Sequence, residues 1–320
     1  MVSVVSEQQL PSCGDWPWLQ CPGCSAALSP AGTEALRCEC GKTYPIVQGR
    51  PVLIDESKSI FAHEDYRHLQ YVEPPTGVRK LARSLPALSV NLSATRSFAT
   101  MRKLLVDKPD AVVLVVGGGV IGKGIRSIAS VPGLRLLNVD PAPTSSAEIF
   151  CDGHDLPFQD GTFDAVIVQA VLEHVLDPQR CVAEIHRVLK PDGLVYSETP
   201  FMQQVHMKGV DFTRFTHSGH RRLFRHFAEL ESGVVAGPGT ALAWSWRYFL
   251  ASLSSTIWLS KTLYKLGRVT GAGFELVDHL LRQRPGAVDA ASCTYFLGRR
   301  SQKTVSDREI LLSYRGQRWS

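Results

Sequence analysis

The sequence predicts an α/β fold, a mostly parallel sheet with helices on both faces, behind a small cysteine-bearing module. Three observations carry this. Residues 111–124 read AVVLVVGGGVIGKG, a β-branched run that stops at clustered glycines, the pattern of a buried strand turning sharply into a helix. Further strand-like runs follow at 134–140 and 165–169, separated by stretches long enough for helices, as parallel sheets require. Finally, four of the eight cysteines fall between Cys21 and Cys40, ahead of all of this.

A chain of 320 residues accommodates one large α/β domain with a substantial core plus an accessory module. No uncharged apolar run reaches the roughly 18 residues needed to span a bilayer. The opening MVSVVSEQQLPSC has no basic region followed by an apolar core, so no secretory signal is expected and a cytoplasmic enzyme is the default. The net charge of +5 is mild, with much of the excess in Arg79, Lys80, Arg83 and a tail carrying Lys303, Arg308, Arg315 and Arg318. That distribution does not by itself point to nucleic acid.

The first unit is expected over residues 1–54. Cys21-Pro22-Gly23-Cys24 and Cys38-Glu39-Cys40 are two close pairs, able to deliver four thiolates tetrahedrally to zinc and so to stabilise a segment too short for a core of its own. Clustering in a chain with no secretory signal favours metal over disulfides. The C-x-C spacing of the second pair departs from C-x-x-C and tightens its turn. Residues 44–54 read as a strand, a glycine turn and a second strand. The unit resembles a zinc ribbon, which implies a structural zinc on Cys21, Cys24, Cys38 and Cys40 and a docking or scaffolding role.

Residues 55–110 form a linker punctuated by Pro74, Pro75, Pro86 and Pro109. Two helices are expected in it. The first, at 77–85, is basic and amphipathic and reads as a solvated face; the second, at 94–106, is placed to pack beside the first strand.

In the glycine cluster, Gly117, Gly119 and Gly122 fit G-x-G-x-x-G, with Gly118 between the first two. Missing side chains there let the backbone approach a ligand and turn N–H groups toward it. The second strand ends in Asp140, at the carboxyl edge beside the glycines, where it can accept from a ribose diol. At this point a nicotinamide cofactor and S-adenosylmethionine are both open.

The next residues separate them. Cys151-Asp152-Gly153-His154-Asp155-Leu156-Pro157-Phe158-Gln159-Asp160-Gly161-Thr162-Phe163-Asp164 leads into the strand ending at Gln169; then come Val171-Leu172-Glu173-His174-Val175 and Arg187-Val188-Leu189-Lys190-Pro191-Asp192-Gly193. These elements, in this order, resemble a class I S-adenosylmethionine-dependent methyltransferase of the small-molecule "type 11" group. The resemblance implies a Rossmann-like, seven-stranded, mostly parallel sheet over residues 111–300 with an antiparallel final strand, and S-adenosylmethionine as cofactor. Asp152 would accept from the adenine amino group, with Gly153 and His154 beside it and Leu156 and Phe158 as apolar walls. Gln169 would face the donor methyl, and Glu173-His174 would open the next helix near the reaction centre. One position departs from the family: Val115 stands where many members carry an acidic residue, so the methionine end must be held by other groups.

Beyond the fifth strand, residues 198–224 are dense in polar and aromatic side chains where such folds bind substrate. Gln203, Gln204, Asp211 and Arg214 are the acceptor candidates, with Asp211 and Arg214 read first as a pair that holds the loop and second as a contact to sugar hydroxyls. A hydroxyl acceptor must lose its proton, and a histidine suits that task near neutral pH; His206 is the first choice and His174 the second. The favoured reading is O-methylation of a glycan or small metabolite. Two alternatives stay open, an RNA base methyltransferase with a zinc-ribbon substrate module and a non-catalytic zinc-ribbon scaffold, although QAVLEH replaces an NPPY-type element after strand four and makes nucleic acid the weaker partner.

A helical insertion is expected at about 240–285. Leu242, Trp246, Phe249, Leu250, Leu253 and Ile257 recur at helical spacing as an apolar stripe, which suits helices packed on the sheet, a lid over the acceptor pocket, or peripheral contact with a membrane surface. Residues 293–297 read as the last strand, before a basic tail at 301–320 expected to be mobile.

Overall fold

The computed structural model describes residues 17–67, 69, 91, 93–119, 124–281 and 283–318. The expected basic helix at 77–85 and Gly122 lie outside them.

Among the described residues the main sheet has six strands: β5 (Val112–Val116), β6 (Arg135–Val139), β8 (Phe163–Gln169), β9 (Leu189–Pro200), β10 (Phe227–Ala236) and β11 (Cys293–Arg300), in the order β10-β11-β9-β8-β5-β6. The β5/β6, β5/β8 and β8/β9 pairs are parallel, and β11 is antiparallel to both β9 and β10. The expected antiparallel last strand is present. The strand that would make seven, β7 (Phe150–Cys151), instead pairs with the N-terminal unit, while Ile149 just before it bridges Val139 of β6. It has two residues, too few to form a ladder on both edges.

That N-terminal unit contributes β1 (Leu28–Pro30), β2 (Ala35–Cys38), β3 (Thr43–Val47) and β4 (Arg50–Leu53), antiparallel in sequence order. Gln48 and Gly49 between β3 and β4 both have positive φ, 51° and 73°, the backbone of a tight hairpin turn. Strand β4 then lies parallel to β7, Val52 opposite Phe150. Leu36, Tyr44 and Leu53 bury into the same apolar cluster as Leu114 and Leu137 of the main sheet. The N-terminal unit therefore shares a core with the sheet, because a four-strand ribbon cannot bury its own apolar face.

Helix α1 (Ala94–Leu105) realises the expected second linker helix, burying Phe98, Met101 and Leu105 against Val113 and Val115. On this strand Val115 is 3% exposed within that cluster, so it serves the core. Helix α2 (Ile125–Ala129) follows Gly124, whose φ of 96° and close approach to Phe98 exclude a side chain. Helix α3 (Pro178–Val188) starts at an Asp177 cap accepting from the Arg180 N–H at 3.0 Å. Helix α4 (His217–Leu223) starts at Thr216, which caps the Gly219 N–H.

The insertion forms α5 (Pro238–Ser252), α6 (Ile257–Thr270) and α7 (Ala272–Leu281), followed by the short α8 (Pro285–Asp289). The expected apolar stripe is not the buried face: Leu242, Phe249, Leu253 and Ile257 are exposed, while Gly239, Ala241, Ala243 and Arg247 are buried. Small residues let α5 approach its neighbours closely, and Gly267 of α6 lies against the Arg247 backbone. Asp278 of α7 is fully buried and accepts from the N–H groups of Gly237, Gly239 and Thr240 at 2.7–3.0 Å, capping α5 with a carboxylate from another helix.

The tail is docked where a mobile one was expected. Helix α9 (Asp307–Leu312) opens with a Ser306–Glu309 capping box, and Arg315 reaches Glu229 at 2.6 Å.

Candidate active site

At the carboxyl edge of β5, the Gly117 and Gly118 N–H groups donate to the Val139 carbonyl at 2.8 and 3.1 Å, and the Gly119 N–H donates to Asp140 Oδ2 at 3.0 Å. The glycines thus let the turn close onto the end of β6: a Cβ on Gly118 would fall 2.8 Å from Asn138 and one on Gly119 2.8 Å from Asp140. Their amides face this neighbouring strand end, which differs from the expectation that they point at a ligand. Asp140 Oδ1 also accepts from the Ala142 N–H at 2.7 Å. Burial raises the Asp140 carboxyl above its ordinary value against the pull of these two amides.

Asp152 stands at the next strand end. Burial disfavours its charge, but hydrogen bonds from His154 and Ser59 outweigh this and hold its carboxyl below the ordinary value. Ser59 donates to Oδ2 at 2.5 Å and His154 Nδ1 lies 2.5 Å from Oδ1. Because His154 Nε2 accepts from the Asp177 N–H at 3.0 Å, its proton sits on Nδ1 and is donated to Asp152. His154 therefore positions Asp152, with both ring nitrogens engaged. Gly153 leaves room beside Val116 and Cys181. Phe158, expected as an apolar wall, is fully buried in an aromatic cluster with Trp18 and Phe163; the N-terminal unit's docking draws it inward.

Gln169 ends β8 with its Oε1 buried and unpartnered among the described residues. Beside it Glu198 of β9 is held by Asn91 at 3.1 Å and Tyr196 at 2.5 Å, and burial raises its carboxyl. Glu198 opens the 198–224 stretch read as the acceptor region, although it is not among the candidates named there.

Glu173 and His174 occupy a turn between β8 and α3; the helix expected there begins only at Pro178. Proline at the first helical position and the Asp177 cap set that start. Glu173 is fully buried with both oxygens unpartnered among the described residues, and burial pushes its carboxyl up to about 8. His174 Nε2 lies 3.7 Å and His206 Nε2 3.9 Å from Glu173 Oε1. His174 is oriented by a 2.6 Å contact from Nδ1 to the Val210 carbonyl, so Nδ1 carries the proton and the Nε2 lone pair faces the Glu173 carboxyl. Burial lowers the His206 imidazole below its ordinary value, although Asp211, 3.4 Å from Nδ1, pulls the other way. The donor atoms of Glu173, His174 and His206 all lie within 4.8 Å of one another, an arrangement that can relay a proton or hold a cation.

The acceptor loop is braced from within. Arg214 forks onto both Asp211 oxygens and donates to the Gln203 carbonyl at 2.9 Å, and Asp211 accepts from the His206 N–H at 2.9 Å. Asp211's side chain is fully buried and held well below the usual carboxylate range by Arg214. Both residues thus brace the loop from within. Gln203 Oε1 accepts from Cys293 at 3.2 Å and Gln204 Nε2 donates to Ser245 of α5 at 3.0 Å. Tyr248 of α5 donates to the Val205 carbonyl at 2.8 Å, and Trp244 stands edge-on to His206. The insertion therefore rests directly on the acceptor loop.

In the N-terminal unit the four expected ligands converge. Cys21 and Cys40 sulfurs are 3.8 Å apart, Cys24 and Cys38 3.4 Å, and all four lie within 4.8 Å of one another. Sulfurs about 3.8 Å apart are what tetrahedral bonds of 2.3 Å require, so the set fits zinc.

Residues 114–197 match the family model described as "Methyltransferase domain". The chain is 49% identical over 43 residues to the ubiquinone/menaquinone biosynthesis C-methyltransferase UbiE of Desulfotalea psychrophila, a match covering 13% of this chain and 18% of that protein. It is 34% identical over 90 residues to an uncharacterized methyltransferase of Mycobacterium sp. strain JLS, covering 26% and 36%. Among solved structures, phosphoethanolamine N-methyltransferase 2 of Haemonchus contortus in complex with S-adenosyl-L-methionine aligns at a TM-score of 0.44 and 19% identity, over 65% of this chain and 52% of that one. The chain thus spans well under two thirds of the curated relatives it matches. What carries the methyltransferase-domain pattern is the segment 114–197, which runs from β5 through β8 into β9 and holds Gly117, Asp140, Asp152, Glu173 and His174.

Proposed function

We propose that the chain is a class I S-adenosylmethionine-dependent methyltransferase that O-methylates a hydroxyl of a glycan or small metabolite. The observation that carries this reading is the overlay of the matched segment 114–197 on the strand ends that bear Asp140 and Asp152, with Glu173, His174 and His206 gathered beside them. Asp140 would hold the ribose diol and Asp152 the adenine amino group, each through lone pairs not used by its internal partners. Gln169 would face the methyl group.

Methyl transfer is an in-line displacement: the acceptor oxygen bonds to the methyl carbon as the sulfur–carbon bond breaks, and the acceptor proton leaves. The residues' task is mainly to orient the acceptor and take that proton. His206 is the proposed base, since burial keeps its imidazole neutral at physiological pH. His174 and Asp211 fix its surroundings, and Cys21, Cys24, Cys38 and Cys40 would hold a structural zinc.

Calorimetric titration with S-adenosylmethionine and its demethylated product is the direct test; no binding of either sinks the reading. Tritiated methyl incorporation into glycans or small metabolites supports the acceptor class, whereas label confined to RNA replaces it.

A further inference from the structure

Half of the large apolar side chains that stand exposed among the described residues fall between Leu242 and Leu280. Ile257, Trp258 and Val269 on α6 keep 74, 73 and 76% of their surface, and Leu280 on α7 keeps 78%. Apolar exposure concentrated in one segment on this scale points to an interaction surface.

Charge indicates what the surface meets. Within α5–α7, Arg247 and Glu275 pair with each other at 2.9 Å and are buried, and buried Asp278 caps α5. The charged residues left exposed on these three helices are Lys261, Lys265 and Arg268, all cationic. Their spacing of four and three places them in one stripe along α6, beside the stripe of Trp258, Leu266 and Val269. A second copy docked across a two-fold axis would bring these cations toward each other, whereas an anionic surface neutralises them. A 14-residue helix is about 21 Å long, short of the roughly 30 Å bilayer core, and no helix among the described residues is long and apolar enough to cross a membrane.

We propose that α5–α7 form a docking platform for an anionic phospholipid bilayer, with Trp258, Leu266, Val269 and their neighbours at the acyl boundary and Lys261, Lys265 and Arg268 at the headgroups. Because α5 holds the acceptor loop through Ser245 and Tyr248, docking brings residues 203–214 close to the membrane surface. The inference concerns the insertion alone and stands whether or not the chain transfers methyl groups.

Flotation of the full chain with phosphatidylcholine vesicles, with and without phosphatidylglycerol, tests it. Binding is expected only with the anionic lipid, weakening as salt rises. The triple variant Lys261→Glu, Lys265→Glu, Arg268→Glu should lose at least about tenfold in affinity, and Trp258→Ser should weaken binding even at low salt. All these side chains are exposed, so circular dichroism melts should match the parent and separate lost binding from lost fold. Failure of the parent to bind anionic vesicles, equal binding by the charge-reversed variant, or sedimentation showing a dimer that buries Trp258 overturns the proposal.

Discussion

Glu173 and His206 meet across the mouth of the proposed acceptor site, Oε1 and Nε2 3.9 Å apart, although one comes from the turn after β8 and the other from the loop after β9. Neither Glu173 oxygen has a hydrogen-bond partner among the described residues, an arrangement that stores cost unless it is used.

If His206 is the base, His206→Ala should lower kcat by about 10²–10⁴-fold with little change in donor affinity. The pH profile should share its origin. Burial places His206 below the ordinary histidine value, so activity should persist from neutral pH to below about 6.5 before it declines. An acid limb at or above that value would exclude His206.

Asp140→Ala removes a carboxylate poised at the end of β6. A charged hydrogen bond contributes about 1.5–3 kcal/mol, so the donor Kd should rise roughly tenfold to a hundredfold. The Gly119 and Ala142 amides lose their acceptor too, so Asp140→Asn, compared by calorimetry, separates donor contact from support of the turn.

Asp278→Ala should destabilise the insertion. Its carboxylate accepts from three buried backbone amides and the Thr240 hydroxyl, and losing such a cap costs about 2 kcal/mol or more. The thermal midpoint should fall by several degrees, and proteolysis within 238–281 should become faster.

Stability should decline in acid through two buried histidines. His220 is fully buried between Ser197 and Thr294, each at 3.0 Å, and burial first, then His217, drives its imidazole down to about 3. Burial likewise drives His217 to about 4, aided by Arg221. Both values lie below that of the unfolded chain, which binds the extra protons, so stability is present above about 6.5 and lost as pH falls toward 4 and then 3. Each histidine contributes a slope of about 1.4 kcal/mol per pH unit within its window. Urea midpoints that stay level from pH 7 to pH 5 would contradict this.

Metal analysis of the purified chain should give about one zinc. Chelation or Cys21→Ser should lower the thermal midpoint of the whole protein, because Cys21 and Cys38 belong to the same buried cluster as Leu114 and Phe163. Metal-free protein of unchanged stability would remove the zinc assignment.

Much was legible in the residues alone because it depends on neighbours in sequence. The β-branched run before Gly117, the helix over 94–106, the Gln48–Gly49 turn and the two cysteine pairs are set by backbone preference and short-range spacing, and each appears close to its expected place. What only the tertiary structure decided is where desolvation falls. It buried Phe158, left Glu173 without a hydrogen-bond partner among the described residues beside two histidines, paired β7 with the N-terminal unit, and turned the apolar stripe of α5 and α6 outward. Burial is a property of packing between distant segments, and periodicity along one helix names an apolar face without saying what covers it.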